Sequence, residues 1–242
     1  MRLLAVVEYD GTSYAGWQYQ PNEVSVQETI ENAISKIRNK ETHIFGSGRT
    51  DAGVHALGQT FHFDIEEERD LDKFRYSINC VLPKDIRIKS LSNVADDFHA
   101  RLSAKSKTYE YRINLKEDGA FDYKYEEYID QPLDIEEMEK CSKVFLGKHC
   151  FKNFTTKEED HDGYVRELYS INFIENNDHL RIQFNGNGFM RYMVRFLVGT
   201  LIQVGRHKLN INDVQKLLDG STEKVVSYKA EGKGLFLVEV KY

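Results

Sequence analysis

The hydrophobic pattern of this chain changes period along its length, and that change points to a mixed α+β architecture. Between Lys107 and Leu115, Tyr109, Tyr111, Ile113 and Leu115 fall on one face, with Thr108, Glu110, Arg112 and Asn114 on the other. A period of two is the mark of a half-buried strand. Elsewhere the period is helical. Val26, Ile30, Ala33, Ile34 and Ile37 share a face behind Ser25 and Glu28, an S-x-x-E capping box. Leu71, Phe74 and Ile78 form a second stripe that must end before Pro83. A third helix is predicted from near Asp134, stopping at Gly147. A fourth runs along Met190, Met193, Val194, Leu197, Leu201 and Val204 to Gly205, and a short fifth lies between Asn210 and Gly220. Strands are predicted at Leu3 to Tyr9, Gln59 to Asp64 and Leu235 to Val240, with a hairpin turn at Asn176-Asn177-Asp178. This order predicts an α+β chain with mainly antiparallel sheet in two halves, 1–104 and 105–242.

With 242 residues, 40% hydrophobic and 30% charged, the chain can bury a proper core and has the balance of a soluble globular protein. Its apolar runs are too short to span a bilayer. The N-terminal run Met1 to Val7 meets Glu8, Asp10 and Gly11 before a signal peptide could form, so a buried strand and a cytoplasmic location are expected. Three scattered cysteines with no C-x-x-C, and eight histidines with no H-E-x-x-H, predict neither a disulfide framework nor a metal site. The net charge of −6 gives no support for a nucleic-acid partner, although a local basic face could still hold a polyanion.

The most unusual segment is Gly46-Ser47-Gly48-Arg49-Thr50-Asp51-Ala52-Gly53-Val54-His55. Its glycines allow positive φ and close approach to a ligand. It lacks the G-K-[ST] of a phosphate loop, and Asp51 stands where a dinucleotide fingerprint needs glycine. A carboxylate there would repel phosphate, whereas the loop suits presenting Asp51 and Arg49 from a constrained backbone. Residue types alone favour a plainer reading, a tight turn in which Asp51 caps a helix or turn.

The wider pattern changes that balance. Gly46 to Ala56 and Tyr9-Asp10-Gly11-Thr12-Ser13-Tyr14-Ala15-Gly16-Trp17-Gln18 both closely resemble motifs of the tRNA pseudouridine synthase A family. Asp97 to Ala104, Lys107-Thr108-Tyr109-Glu110-Tyr111, Gly188 to Arg195, Val198-Gly199-Thr200 and Gly234 to Val240 continue the resemblance in the same order. Two positions depart from it: Leu102 stands where an aromatic is common, and Glu110 where a basic residue is frequent, which weakens a peripheral RNA contact at most.

The resemblance implies two similar halves, mainly antiparallel sheets with helices packed on them, and an active-site cleft between. It implies an isomerase that breaks the ribose C1′–uracil N1 bond, turns the base and rejoins it through C5, with no cofactor or metal. Asp51 would be the nucleophile, at ribose C1′ or uracil C6. Arg195 would pair with it, against the alternative of a surface arginine lying over the core. Tyr109 would pack on the target base and is a candidate for C5 deprotonation; core filling is compatible with that role. The uridine must be flipped out of its stack, and Arg49 either fills the vacated space or contacts phosphate. Arg101, Lys105 and Lys107, then Arg206, His207 and Lys208, form two basic clusters suited to RNA or to solvent. Glu158-Glu159-Asp160-His161-Asp162 lacks EF-hand spacing and is expected to be a mobile acidic loop. The implied partner is the tRNA anticodon arm, at positions 38, 39 and 40, and the implied assembly is a homodimer. Two alternatives stand: an RNA-binding module without catalysis, disfavoured by Asp51, Tyr109 and Arg195 together, and a hydrolase. Hydrolysis normally needs a paired carboxylate, none accompanies Asp51 in its motif, and the resemblance disfavours Glu66, Glu67 and Glu68, the candidates after the strand.

Overall fold

Leu3, Ala5, Val7 and Tyr9 bury one face of the first strand, β1 (Arg2–Tyr9), while the residues between them stay partly open. That alternation fixes which side of the sheet carries helices. A computed structural model describes residues 1–116, 119–156, 163–221, 226 and 228–242; the 158–162 segment lies outside them. The chain divides into two compact units, Met1–Lys105 with Phe236–Tyr242, and Ser106–Leu235.

In the first unit β1 pairs antiparallel with β3 (His55–Asp64) on one side and β4 (Ile86–Val94) on the other. The far edge of β3 is shared. Its last residues pair with the short β2 (Phe45–Gly46), and His55 and Ala56 pair in parallel with Phe236 and Leu237 of the terminal strand β10 (Leu235–Lys241). The expected half 105–242 would hold that strand; its partner β3 instead draws it into the first unit. Helix α1 (Val26–Arg38) starts where expected, with the Ser25 hydroxyl accepting the Glu28 N–H at 3.2 Å. Helix α2 (Leu71–Val81) stops at Leu82, whose extended backbone precedes Pro83. Val26, Ile30, Ile34, Phe74 and Ile78 from these helices are buried, as are Phe61 and Phe63 of β3.

The second unit carries an antiparallel sheet in the order β5 (Ser106–Asn114), β9 (His179–Gly186), β8 (Val165–Asn176), β7 (Gly147–Cys150), with β6 (Glu127–Tyr128) parallel to β5. The β8–β9 hairpin turns at Asn177, at φ 53°. Helix α3 (Ile135–Ser142) is shorter than its pattern, because a 3-10 turn, Lys143–Phe145, takes over before Gly147. Helix α4 (Met193–Gly205) starts after Met190, since Tyr192 is left-handed, and α5 (Ile211–Asp219) carries a full capping box at Asn210. This is an α+β fold with mainly antiparallel pairing. Among the described residues no helix is long and apolar enough to cross a membrane.

The polar face expected on β5 is partly buried, with Glu110 and Asn114 buried and Thr108 and Arg112 half-buried. Glu110 accepts hydrogen bonds from Arg112 Nε at 2.8 Å and Gln183 Nε2 at 2.9 Å. It is therefore held inside the sheet by side chains of β5 and β9. Glu127 is buried too, with Oε2 2.5 Å from the Tyr111 hydroxyl, which also lies 2.8 Å from the Glu231 carbonyl. A phenol has one proton. If the carboxyl is protonated it can donate to Tyr111, leaving the phenol to donate to Glu231. Burial pushes Glu127 above its ordinary 4.5, partly offset by hydrogen bonding from Tyr111.

The sign of the pH dependence follows. A carboxyl whose folded pKa is raised favours folding while protonated and loses that contribution as pH rises through the folded value. Glu127→Gln removes the titration. The melting temperature of the variant relative to the unsubstituted protein should therefore climb between pH 4 and pH 8. Thermal melts across that range check this, and a gap that stays level or narrows with pH contradicts it.

Candidate active site

Ser47 to Val54 connects β2 to β3, so both ends of the loop leave from the same sheet. The stem is fixed by Gln59, whose side chain is fully buried in β3. Its Oε1 accepts the Ser47 hydroxyl at 2.6 Å and the Thr60 N–H at 3.0 Å, and its Nε2 donates to Gly48 O at 2.9 Å. Ser47 N–H continues the ladder to Thr60 O at 2.8 Å. An amide buried this deeply must keep those partners, because an unsatisfied polar group costs about 1–3 kcal/mol.

The outer half of the loop is held by the Tyr9 to Gln18 segment. The Tyr9 hydroxyl lies 2.8 Å from Thr50 Oγ1, Trp17 N–H donates to Thr50 O at 3.0 Å, and Gly53 N–H to Tyr14 O at 3.4 Å. At the loop's exit Gly11 N–H donates to His55 Nδ1 at 3.0 Å. Burial holds the Tyr9 phenol well above its ordinary range, so it stays a neutral strut. The two N-terminal motifs are thus one structural object. Thr50 is buried and pinned through side chain and carbonyl, Asp51 follows half-buried, and Arg49 is exposed. Asp51 O accepts the Val54 N–H at 3.1 Å, closing a turn beneath the carboxylate. The turn in the plainer sequence reading therefore exists at Asp51.

Two of the three alternative acids are committed elsewhere. Glu66 and Glu67 lie 3.3 and 3.2 Å from the buried guanidinium of Arg38, and Glu66 also accepts Lys40 Nζ at 2.5 Å.

In the second unit Tyr109 faces Phe184 across the β5–β9 ladder and is only 8% exposed. The ring of Phe189 meets it edge-on at 5.1 Å, so the Gly188 to Arg195 segment supports it. Arg195 lies in the first turn of α4. Its Nε donates to Ala230 O at 2.6 Å, and Ala230 N–H returns a bond to Arg195 O at 3.1 Å. Its charge is felt at Tyr111, whose phenol burial and Glu127 push up while Arg195 pulls it down.

The basic residues separate. Arg101 and Lys105 are exposed in the first unit, and Lys107 is half-buried on β5 in the second. The Arg206 side chain is 15% exposed with Nη2 3.8 Å from Asp130, and His207 Nε2 lies 3.5 Å from Asp134. Carboxylates thus offset much of that second cluster. Sequence reasoning missed Gln59, Tyr9 and Tyr14 as supports of the loop. A buried glutamine in an apolar strand was the one available signal for Gln59; the other two needed the fold.

Gly16 and Gly53 both have positive φ, 103° and 72°, but a Cβ on Gly16 would lie 2.5 Å from Thr50 O while one on Gly53 meets open space. Gly53→Ala should cost only the left-handed penalty, about 1 kcal/mol. Gly16→Ala adds a backbone collision and should cost about 2–4 kcal/mol. Denaturant melts of both variants test this, and equal losses would show that the two segments are not tightly packed.

The sequence model of a tRNA pseudouridine synthase family matches residues 5–102 and 142–242. The tRNA pseudouridine synthase A of Thermoanaerobacter sp. (strain X514) is 39% identical over 241 residues, covering 99% of each chain. That of Listeria monocytogenes serotype 4a is 40% identical over 251 residues, covering all of this chain and 99% of its own. That of Brevibacillus brevis is 37% identical over 242 residues, with coverage of 100% and 99%. With that similarity end to end, this chain belongs to the tRNA pseudouridine synthase family.

Proposed function

We propose that this protein isomerises uridine to pseudouridine at positions 38, 39 and 40 in the anticodon arm of tRNA, with Asp51 as nucleophile. The observation that carries the reading is a half-buried carboxylate on a loop pinned at Thr50, Gly53 and Gln59, in a chain of this family. Such a loop holds a reacting group still, and positioning is worth orders of magnitude in rate. The carboxylate attacks ribose C1′ or uracil C6. The N1–C1′ bond breaks, the base turns, C5 bonds to C1′, the bond from Asp51 to the carbon it attacked breaks and returns the carboxylate, the C5 proton leaves and N1 gains one. Atoms and electrons balance without any cofactor.

Arg195 keeps the carboxylate ionised and oriented, and its own anchorage to Ala230 fixes the guanidinium for that task. Tyr109, backed by Phe189, offers a platform for the extruded base. Arg49, exposed two residues before the nucleophile, fills the stack. Arg101, Lys105, Lys107 and Arg206 contact phosphates, Arg206 least because Asp130 competes for it. The enzyme works as a homodimer in the cytoplasm, where its substrate is.

A complete tRNA transcript should gain pseudouridine at positions 38 to 40 after incubation with the protein and excess chelator, with enough monovalent salt to keep the RNA folded. Modification elsewhere, or none, contradicts the reading. Arg195→Lys should lower turnover about a hundredfold, the scale of a 1 Å misplacement, with little change in affinity. Arg101→Ala should instead weaken binding and flatten its salt dependence by roughly one phosphate contact. Single-turnover rates and salt titrations separate these, and equal effects on binding alone would reduce Arg195 to another phosphate contact.

A further inference from the structure

Three cations converge on one aromatic ring at the start of α4. Lys229 Nζ lies 4.0 Å from the centroid of Tyr192, Arg191 Cζ 4.8 Å and Arg195 Cζ 5.3 Å. Arg191 Nη2 also donates to the Tyr192 hydroxyl at 3.1 Å. The face of one ring attracts each cation, but Arg191 and Lys229 repel one another there. Among the described residues neither Arg191 nor Lys229 has a carboxylate partner, and α4 has no acid in its first turn. The partial positive charge of the helix end adds to theirs. Tyr192 itself sits at φ 61°, ψ 2°, a left-handed conformation that bulky side chains avoid.

Crowded positive charge and backbone strain are each unfavourable for the protein alone. An anion would relieve the repulsion. Arg191 and Lys229 are exposed and Tyr192 half-exposed, so a ligand can reach them. The fork of an arginine, the point charge of a lysine and a phenol give several donors around one place, which suits the two unesterified oxygens of a phosphodiester. We infer that Arg191, Lys229 and Tyr192 form a subsite for one phosphodiester of the RNA backbone. This inference deepens the proposed function and rests on RNA being the ligand. Arg191 and Arg195, four residues apart, then divide the work: one arginine binds the backbone while the other is anchored to Ala230.

The test is tRNA binding measured from 50 to 300 mM KCl for the unsubstituted protein, Lys229→Gln and Arg191→Gln/Lys229→Gln, with turnover at saturating tRNA. The slope of log affinity against log salt should become less steep by roughly 1 for the double variant, the loss of one phosphate contact, and by part of that for the single. Turnover at saturation should stay within about twofold of the unsubstituted rate. Lys229 is exposed, so the single variant tests the subsite even if the double one folds poorly. Inorganic phosphate at constant ionic strength should compete with tRNA for the unsubstituted protein only weakly. Unchanged slopes, or lost turnover with unchanged slopes, overturn the inference. A protein that binds tRNA without modifying it removes the proposed function and leaves the slope comparison valid; one that does not bind tRNA overturns both.

Discussion

The hydrogen bonds of the Gln59 amide couple the loop to the core. An amide in the middle of β3 has no water to turn to, and it finds its partners in Ser47 and Gly48. The loop cannot leave that position without stranding Gln59, nor Gln59 move without disturbing a strand with buried residues on both faces. The outer half of the loop depends in turn on Tyr9 at the end of β1 and on the turn that follows it. Sheet, turn and loop therefore stand or fall together. Asp51 is placed by contacts that its neighbours in the loop make.

The second unit uses a similar arrangement with different chemistry. Tyr228 and Tyr111 both reach Glu127, at 3.3 and 2.5 Å, and burial together with that carboxyl pushes the Tyr228 phenol up to about 12. Gly199 lets α4 approach closely, since a Cβ there would lie 2.3 Å from Tyr228 O. The 228–231 segment is thus held by the buried Tyr111 on one side and by α4 on the other, and it carries the carbonyl that grips Arg195. A buried acid is an unlikely ornament in such a place. It ties together strand β6, strand β5 and the segment that anchors the arginine.

Much of the fold was legible because local chemistry and tertiary packing agreed. Ser25, Asp70 and Asn210 cap helices that begin on the next residue, and Pro83 lies just beyond the end of α2. Where reading failed, a non-local partner decided. β3 begins at His55, four residues before the expected strand, because pairing with Phe236 and Leu237 extends it. β10 is bound to a strand some 180 residues earlier, a relation that periodicity does not encode. Glu110 looked like a solvent-facing residue, yet Arg112 pairs with it and Gln183 donates a hydrogen bond to it inside the sheet. At the candidate site, residue types alone suggested only a turn around Asp51. Its chemical reading came from resemblance, and its supports became visible only once Tyr9, Trp17 and Gln59 were placed in space.

The central claim is that this buttressed loop exists to hold the Asp51 carboxylate as a nucleophile. Asp51→Asn keeps the shape of the side chain and removes its nucleophilic oxygen. The most direct measurement is tritium release from tRNA labelled at uridine C5, alongside the affinity of the same variant for the same tRNA. The account predicts that release falls to the level of the protein-free control while affinity stays within about twofold, because positioning and chemistry are separable. Release that continues in the purified variant would contradict it.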